Sequence, residues 1–192
     1  IEKLPFISKD DIKQYYPKGI ISSTKKEDQL VQIATSGTTG KSLPLYVDFF
    51  DIVMGLFAYI RTLHEYGMSI WRNKITIIGD FAPHTAESGY VTRGIQPRLN
   101  IMTRFKNIQW LNTNDDPQKV IAAINAFHPE FIGAYVGMLG HLALLKEKGF
   151  GSDICPDYIG ATGSVLDPSL KTFIEKTFAT HVFEVYGATE SG

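Results

Sequence analysis

Short apolar runs alternate along the chain with segments whose apolar residues recur at helical spacing. Runs of strand length occupy residues 74–79, 107–111, 130–134, 157–161 and 181–186. Such runs are typical of strands that are buried on both faces. Helices are predicted between them, and strand and helix therefore alternate from residue 74 onward. This order predicts an α/β fold with a mostly parallel sheet and helices on its faces.

Helix starts are marked by capping residues. Ser8 with Asp11 predicts an N-cap for a short helix, and Asp116 and Asp167 each precede a proline that suits the first helical position. Further helices are predicted over residues 50–66 and 136–148. In the helix over 50–66 the residues expected to pack in the core are Phe50, Val53, Met54, Phe57 and Ile60.

A polar loop lies between two apolar runs early in the chain, at Thr35–Ser42. Its hydroxyls, glycine N–H groups and Lys41 suit a polyphosphate. It is not a nucleotide-binding P-loop, because that motif needs glycine at position 35 and a helix afterwards, whereas Pro44 follows within a strand-like run. A loop joining two strands fits better, and a solvated turn of small polar residues is the alternative.

Composition narrows the function classes. The 192 residues include 19 basic and 20 acidic side chains, which gives no broad basic surface for nucleic acid. Cys155 is the one cysteine, so we expect no internal disulfide, a reducing compartment and an inert, packed thiol. The apolar segment 131–145 is shorter than the ~20 residues that span a bilayer. With no secretory signal at the start, a cytoplasmic protein is expected.

Small and polar residues follow the last two predicted strands. In open α/β sheets ligands bind beyond the carboxyl ends of the strands. Two segments, Gly160–Ser164 and Tyr186–Glu190, occupy such positions here. In the second segment an aromatic ring can stack, a hydroxyl can bind phosphate, and a carboxylate can hold Mg²⁺. The alternatives are a plain strand–helix turn for the first segment and a strand end with an exposed Glu for the second.

The loop and the segment about 150 residues later together resemble the adenylate-forming superfamily, which includes acyl-CoA ligases, adenylation domains and luciferases. The resemblance implies that the loop binds the ATP phosphates, that Thr189 contacts the α-phosphate, and that Glu190 holds Mg²⁺. Lys41, Thr189 and Glu190 are the implied catalytic residues. The nucleotide would be bound by Thr35, Ser36, Gly37, Thr38, Thr39, Gly40, Lys41, Ala161, Thr162, Gly163, Ser164, Tyr186, Gly187, Ala188 and Thr189.

The lead-in is similar to the phenylacetate–CoA ligase branch of that superfamily. It reads Leu-Pro-Phe at residues 4–6, then a lysine and acidic residues, then Tyr16-Pro17. The chain departs from the branch at residues 79–90, which puts phenylacetate itself in doubt. In that segment the resemblance places Phe81 and His84 near the acid substrate, together with Tyr186.

The resemblance implies ATP-dependent activation of a small carboxylic acid, followed by transfer to coenzyme A, with ATP and Mg²⁺ as cofactors. The whole chain would be a fragment of the large N-terminal AMP-binding domain, with a lead-in over 1–29, the loop and its strands over 30–47, and the α/β core over 48–192. The ribose-binding Asp and the C-terminal domain with its lysine would lie outside it, so little turnover is expected from the fragment alone.

Other readings follow from the same residues. One is a non-catalytic nucleotide- or acyl-binding domain, and another is an adenylation domain with a different acceptor. An α/β-hydrolase is set aside, because its G-x-S-x-G motif is absent from the sequence. No membrane span and no nucleic-acid partner are expected. The sequence does not give the oligomeric state; a homodimer is one state that the resemblance allows, since members of the superfamily are often dimers.

Overall fold

The computed structural model describes residues 7–34, 43–83, 85–99 and 105–187, which form two compact units. Within the described residues, the first unit comprises residues up to 55 together with 81–99. The second unit comprises residues 56–80 and 105–187. The division falls within helix α2 (Phe49–Glu65), and each unit buries apolar residues of its own.

The first unit is built from short elements. They are helix α1 (Lys9–Tyr15), 3₁₀ turns at Lys18–Ile20 and Glu27–Gln29, strands β1 (Val31–Ala34) and β2 (Pro44–Val47), a π-helix (Ser88–Ile95) and helix α3 (Gln96–Leu99). The predicted cap of α1 is confirmed. The hydroxyl of Ser8 accepts a hydrogen bond from the Asp11 N–H at 3.1 Å, and the Asp11 carboxylate accepts one from the Ser8 N–H at 2.8 Å.

Strands β1 and β2 form an antiparallel hairpin whose register runs from Val31 opposite Val47 to Ala34 opposite Pro44. The lead-in packs on both strands. The ring of Tyr16 stacks on that of Tyr46 with centroids 5.7 Å apart, and the Gln32 amide donates to the Tyr16 hydroxyl at 2.7 Å. The Tyr46 hydroxyl in turn donates to Glu27 at 3.2 Å. These contacts tie residues 16–29 to the two strands that flank the predicted phosphate loop.

An ion pair between Lys25 and Asp48 also anchors the lead-in, and it predicts a pH dependence. The Lys25 ammonium donates to Asp48 at 2.5 Å, and with the Asp51 N–H it lowers the pKa of Asp48 from 3.8 to about 2. Because the folded-state pKa lies below the unfolded value, this stabilisation is present above pH 4 and is lost as the pH falls toward 2. Asp48→Asn should flatten that part of the stability profile, with a cost at pH 7 below about 1 kcal/mol because the pair is exposed.

The measurement is urea denaturation of wild type and Asp48→Asn at intervals between pH 2 and pH 7. Asp28→Asn is the control, since Asp28 is also an exposed carboxylate of the lead-in. If the free energy of unfolding falls equally steeply for Asp48→Asn and wild type between pH 4 and pH 2, the lowered pKa of Asp48 does not contribute to stability as proposed.

The second unit contains a five-stranded parallel sheet in the order β4-β3-β5-β6-β7. The strands are β3 (Ile75–Gly79), β4 (Ile108–Asn112), β5 (Phe131–Tyr135), β6 (Tyr158–Thr162) and β7 (His181–Glu184). Helices α4 (Pro117–Phe127), α5 (Val136–Glu147) and α6 (Pro168–Phe178) connect β4 to β5, β5 to β6 and β6 to β7. The predicted α/β class, with a parallel sheet and flanking helices, is confirmed.

Alternation along the strands divides the core between the two faces of the sheet. On one face, strand residues pack with the helices in a large buried cluster that includes Ile132, Ala161, Ile124, Leu139 and Ile174. On the other face a smaller cluster contains Phe131, Ile75 and Leu63, and aromatic side chains of β6 and β7 pack against it. Both sheet faces are therefore covered, as the continuous apolar runs predict.

The capping residues of α4 and α6 act as predicted. Asp116 accepts a hydrogen bond from the Gln118 N–H at 3.0 Å, and Asp167 accepts one from the Ser169 N–H at 2.8 Å. In each helix proline occupies the first turn, where its missing N–H costs no hydrogen bond.

The predicted core face of α2 is wrong for its largest residues. Phe50, Met54 and Phe57 are 67%, 50% and 59% exposed. The buried positions are instead Ile52 in the first unit and Leu63 in the second. Apolar residues occupy more than one face of this helix, so their spacing alone does not decide which face packs inward. None of the described helices has the length and apolarity needed to cross a membrane.

Candidate active site

The first predicted ligand segment and the described start of the second, Tyr186 and Gly187, lie side by side at the carboxyl edge of the sheet. Strand β6 pairs with β7 so that Ala161 is opposite Glu184. Beyond that pair the Val185 N–H donates to the Ala161 carbonyl at 2.8 Å, and the Thr162 hydroxyl donates to the Val185 carbonyl at 3.0 Å. These bonds fix the backbone of the first segment against the start of the second.

The turn after β6 depends on Gly163. Its φ of +86° lies in the left-handed region, which side chains other than glycine rarely adopt. A Cβ at this position would stand 2.4 Å from Cδ1 of Tyr135, so the backbone of the turn lies directly against that ring. Thr162 is half-buried and Ser164 is exposed, which leaves their hydroxyls at the edge of the sheet.

Ala161 has a different position from its neighbours in the turn. Its methyl group is 1% exposed and packs in the helix-side cluster, and its carbonyl is engaged by Val185. Only the backbone of Ala161 therefore lies at this edge of the sheet, while its side chain packs in the core.

The two described residues of the second segment, Tyr186 and Gly187, present an open surface. Tyr186 is 94% exposed, and a Cβ at Gly187 would meet nothing within 4 Å. An aromatic ring with so little packing is available for a planar ligand beside the Gly163 turn. We find that the structure brings together Thr162, Gly163, Ser164, Tyr186 and Gly187 at this edge.

Three further residues at this edge were missed by the sequence analysis. Tyr135 ends β5 and touches the Gly163 turn, and Asp80 and Asn114 follow β3 and β4. The Asn114 amide donates to the Asp80 carboxylate at 3.1 Å. The rule that identified Gly160–Ser164 also applies to them, because each stands at the carboxyl end of a predicted strand.

In the first unit, the hairpin supports the prediction of a loop that joins two strands. Ala34 and Pro44 form the last strand pair before residues 35–43, so this segment connects antiparallel neighbours and does not open a helix. Phe81 is half-buried in the same unit. The following predicted site residues lie outside the described residues: Thr35, Ser36, Gly37, Thr38, Thr39, Gly40, Lys41, His84, Ala188, Thr189 and Glu190.

A cavity of about 750 Å³ lies at the opposite, amino edge of the sheet, lined among others by Tyr66, Cys155, Asp157, Glu175 and His181. Cys155 is exposed there, so the prediction of a packed thiol is wrong. Glu175 accepts from the Val182 N–H at 3.0 Å, which uses one of its oxygens. Within the described ranges no three His, Cys, Asp or Glu side chains are grouped to hold a metal ion.

Solved structures share this architecture. A 2-hydroxyisobutyryl-CoA ligase, solved with 2-HIB-AMP and CoA, matches 97% of the chain with a TM-score of 0.72 at 13% identity, and the match covers 43% of the ligase. A malonyl-CoA ligase, solved with methylmalonyl-CoA and AMP, matches 83% of the chain with a TM-score of 0.57 at 14% identity, over 32% of its length. The chain has the fold of the adenylate-forming acyl-CoA ligases.

Sequence comparison adds a curated relative of this chain. Protein CapK of Staphylococcus aureus is 25% identical over 193 residues, which include 99% of the chain and 41% of CapK. No family model matches the chain. The chain thus spans less than half the length of the relatives that it matches, and its assignment to the phenylacetate–CoA ligase branch stays a prediction.

Proposed function

We propose that this chain is the nucleotide-binding part of a ligase that uses ATP to join a carboxylic acid to coenzyme A. In the first step a carboxylate oxygen attacks the α-phosphorus of ATP, which forms an acyl-adenylate and releases pyrophosphate. In the second step the thiol attacks the acyl carbon and AMP leaves. The observation that carries the proposal is the edge formed by β6 and β7, where a small-residue turn adjoins an exposed aromatic ring.

This edge suits the adenosine end of ATP. Gly163 itself has no side chain to block a flat ring, and Tyr186 presents a ring that is 94% exposed. Thr162 and Ser164 add hydroxyls that can accept or donate at the rim. We infer that the adenine base stacks on Tyr186 beside the Gly163 turn, with Tyr135 supporting the turn from behind.

The phosphate end of ATP is assigned from the sequence. We infer that the loop Thr35–Ser42 binds the β- and γ-phosphates through hydroxyls and N–H groups, with Lys41 offsetting negative charge. Thr189 would orient the α-phosphate, and Glu190 would hold Mg²⁺ through carboxylate oxygens, the ligands that this ion prefers. Mg²⁺ supplies charge neutralisation at the phosphates, while the protein's residues position the reacting groups.

The acid substrate is proposed only by class. The lead-in supports an aryl acid of the phenylacetate type, and Phe81, His84 and Tyr186 are the side chains that we propose to contact it. Coenzyme A is the proposed acceptor, since two of the solved neighbours were captured with CoA or a CoA thioester. The S. aureus relative adds no substrate to this proposal.

The test is carboxylate-dependent exchange of labelled pyrophosphate into ATP, measured on the full-length protein with a panel of aryl, fatty and amino acids. Exchange that requires one class of acid supports the proposal. Binding of ATP with no exchange for any acid of the panel contradicts it, and favours a non-catalytic nucleotide-binding domain.

Glu190→Gln should weaken binding of ATP·Mg²⁺, because an amide is a poorer ligand for Mg²⁺ than a carboxylate. We expect a loss of roughly tenfold, which corresponds to about 1.4 kcal/mol. Isothermal titration of the full-length protein measures it. Glu147→Gln, at an exposed position near the end of α5, is the matched control and should bind as wild type does. Equal affinity of Glu190→Gln and wild type counts against the metal role.

A further inference from the structure

Arg93 has a buried nitrogen atom that is not hydrogen-bonded. Its Nη2 is shielded from solvent and has no hydrogen-bond partner among the described residues. A guanidinium is always charged and offers five N–H donors, so burying part of it without a partner is costly. Such a group is normally paired with a carboxylate or phosphate, which its planar fork fits.

The place of this atom is fixed by close packing within the first unit. Arg93 belongs to the π-helix, in which a Cβ at Gly89 would stand 2.3 Å from Cγ2 of Ile33, and one at Gly94 would stand 2.5 Å from Cδ1 of Ile52. The same Cβ at Gly89 would lie 3.4 Å from Nη2 of Arg93. The guanidinium therefore lies near Ile33, two residues before Thr35.

Three carboxylates of the first unit already have hydrogen-bond partners. Asp48 and Asp51 accept hydrogen bonds from each other's N–H groups at 2.9 and 3.0 Å, and Asp48 also pairs with Lys25. Glu27 accepts from the Tyr46 hydroxyl. None of these carboxylates accepts a hydrogen bond from Nη2 of Arg93, so this donor is left for another oxyanion.

The backbone around Arg93 is also unusual. Residues 88–95 form a π-helix, a rare conformation that often marks functional sites. Within it the hydroxyls of Ser88 and Thr92 lie 3.0 Å apart, and that of Thr92 bonds back to the Ser88 carbonyl. The hydroxyls of Ser88 and Thr92 are thus bonded within the helix, whereas Nη2 of Arg93 has no partner among the described residues.

We propose that Arg93 binds an oxyanion of the reaction beside the end of β1. The ligand is the carboxylate of the acid substrate or a phosphate of the nucleotide, which offer the same paired oxygens to a guanidinium. This inference rests on the proposed function, and it assigns a binding residue to a segment in which the sequence predicts no element or role.

The test compares wild type with Arg93→Gln in the full-length protein. One arm titrates ATP by calorimetry without acid, and the other measures the KM of the best acid of the exchange panel at saturating ATP. We expect one of the two affinities to fall roughly 10- to 100-fold, because a charge-assisted hydrogen bond is lost. A fall in the ATP arm identifies a phosphate, and a fall in the acid arm identifies the substrate carboxylate.

Arg93→Lys keeps the charge without the planar fork, and should lie between Gln and wild type in the affected arm. If thermal unfolding shows that Arg93→Gln does not fold, Arg93→Lys is used in both arms instead. Arg72→Gln, an exposed arginine of the second unit, is the control and should match wild type in both arms. Unchanged affinities in both arms overturn the inference even where stability falls. Absence of exchange in wild type contradicts the proposed function instead.

Discussion

Gly163→Val is expected to lower the free energy of unfolding by about 2–5 kcal/mol. Valine is poorly suited to the φ of +86° at this position, and its Cβ would stand 2.4 Å from the Tyr135 ring. The left-handed backbone costs about 1–2 kcal/mol for a residue with a side chain. Overpacking against a ring that lies in the next strand adds about 1–3 kcal/mol. Urea denaturation of wild type and variant measures the sum.

Gly137→Ala is the matched control, because it should change the free energy of unfolding in the opposite direction. Gly137 lies in helix α5 on an exposed face, and a Cβ there would meet nothing within 4 Å. Alanine is favoured over glycine by about 0.5–1 kcal/mol in a helix interior, and Gly137 lies in the first turn, so this variant should be more stable than wild type by at most that amount. If both variants change stability in the same direction by similar amounts, the geometry assigned to Gly163 is wrong.

Local signals in the sequence predicted most of the second unit. The five apolar runs became its five strands, and the Asp-Pro pairs at 116–117 and 167–168 start helices because their chemistry acts within one turn. The carboxyl-end rule placed Gly160–Ser164 at the site edge, since parallel strands end on the same side. The same rule would have added Tyr135, which stands at the end of β5.

Features set by packing between distant segments could not be predicted. The π-helix at 88–95 depends on Gly89 and Gly94 lying close to Ile33 and Ile52, which are more than 35 residues away in the chain. The inward face of α2 depends on which neighbours cover it, so Phe50 was placed in the core although it is exposed. Both features depend on tertiary contacts. The α2 example shows that the spacing of apolar residues identifies a helix but does not decide which of its faces packs inward.

Tyr186→Ala should separate binding from stability. The side chain is 94% exposed, so its removal should change the free energy of unfolding by less than about 0.5 kcal/mol. If adenine stacks on the ring, the same substitution should weaken ATP binding by about 1–3 kcal/mol, the range found for bases stacked on aromatic side chains. Calorimetric titration of ATP into the full-length protein, with thermal unfolding of the same samples, measures both quantities.

Tyr186→Phe distinguishes whether the ring or the hydroxyl of Tyr186 contributes to ATP binding. It keeps the ring and removes the hydroxyl, so a stacking role predicts nearly wild-type affinity, whereas a hydroxyl contact predicts the loss seen for alanine. Phe150→Ala, which removes a partly exposed aromatic side chain elsewhere in the second unit, should leave ATP binding unchanged. Wild-type affinity in Tyr186→Ala would place the adenine base elsewhere. Since an exposed ring contributes so little to folding, a loss of ATP affinity at constant stability can be attributed to the contact with the nucleotide.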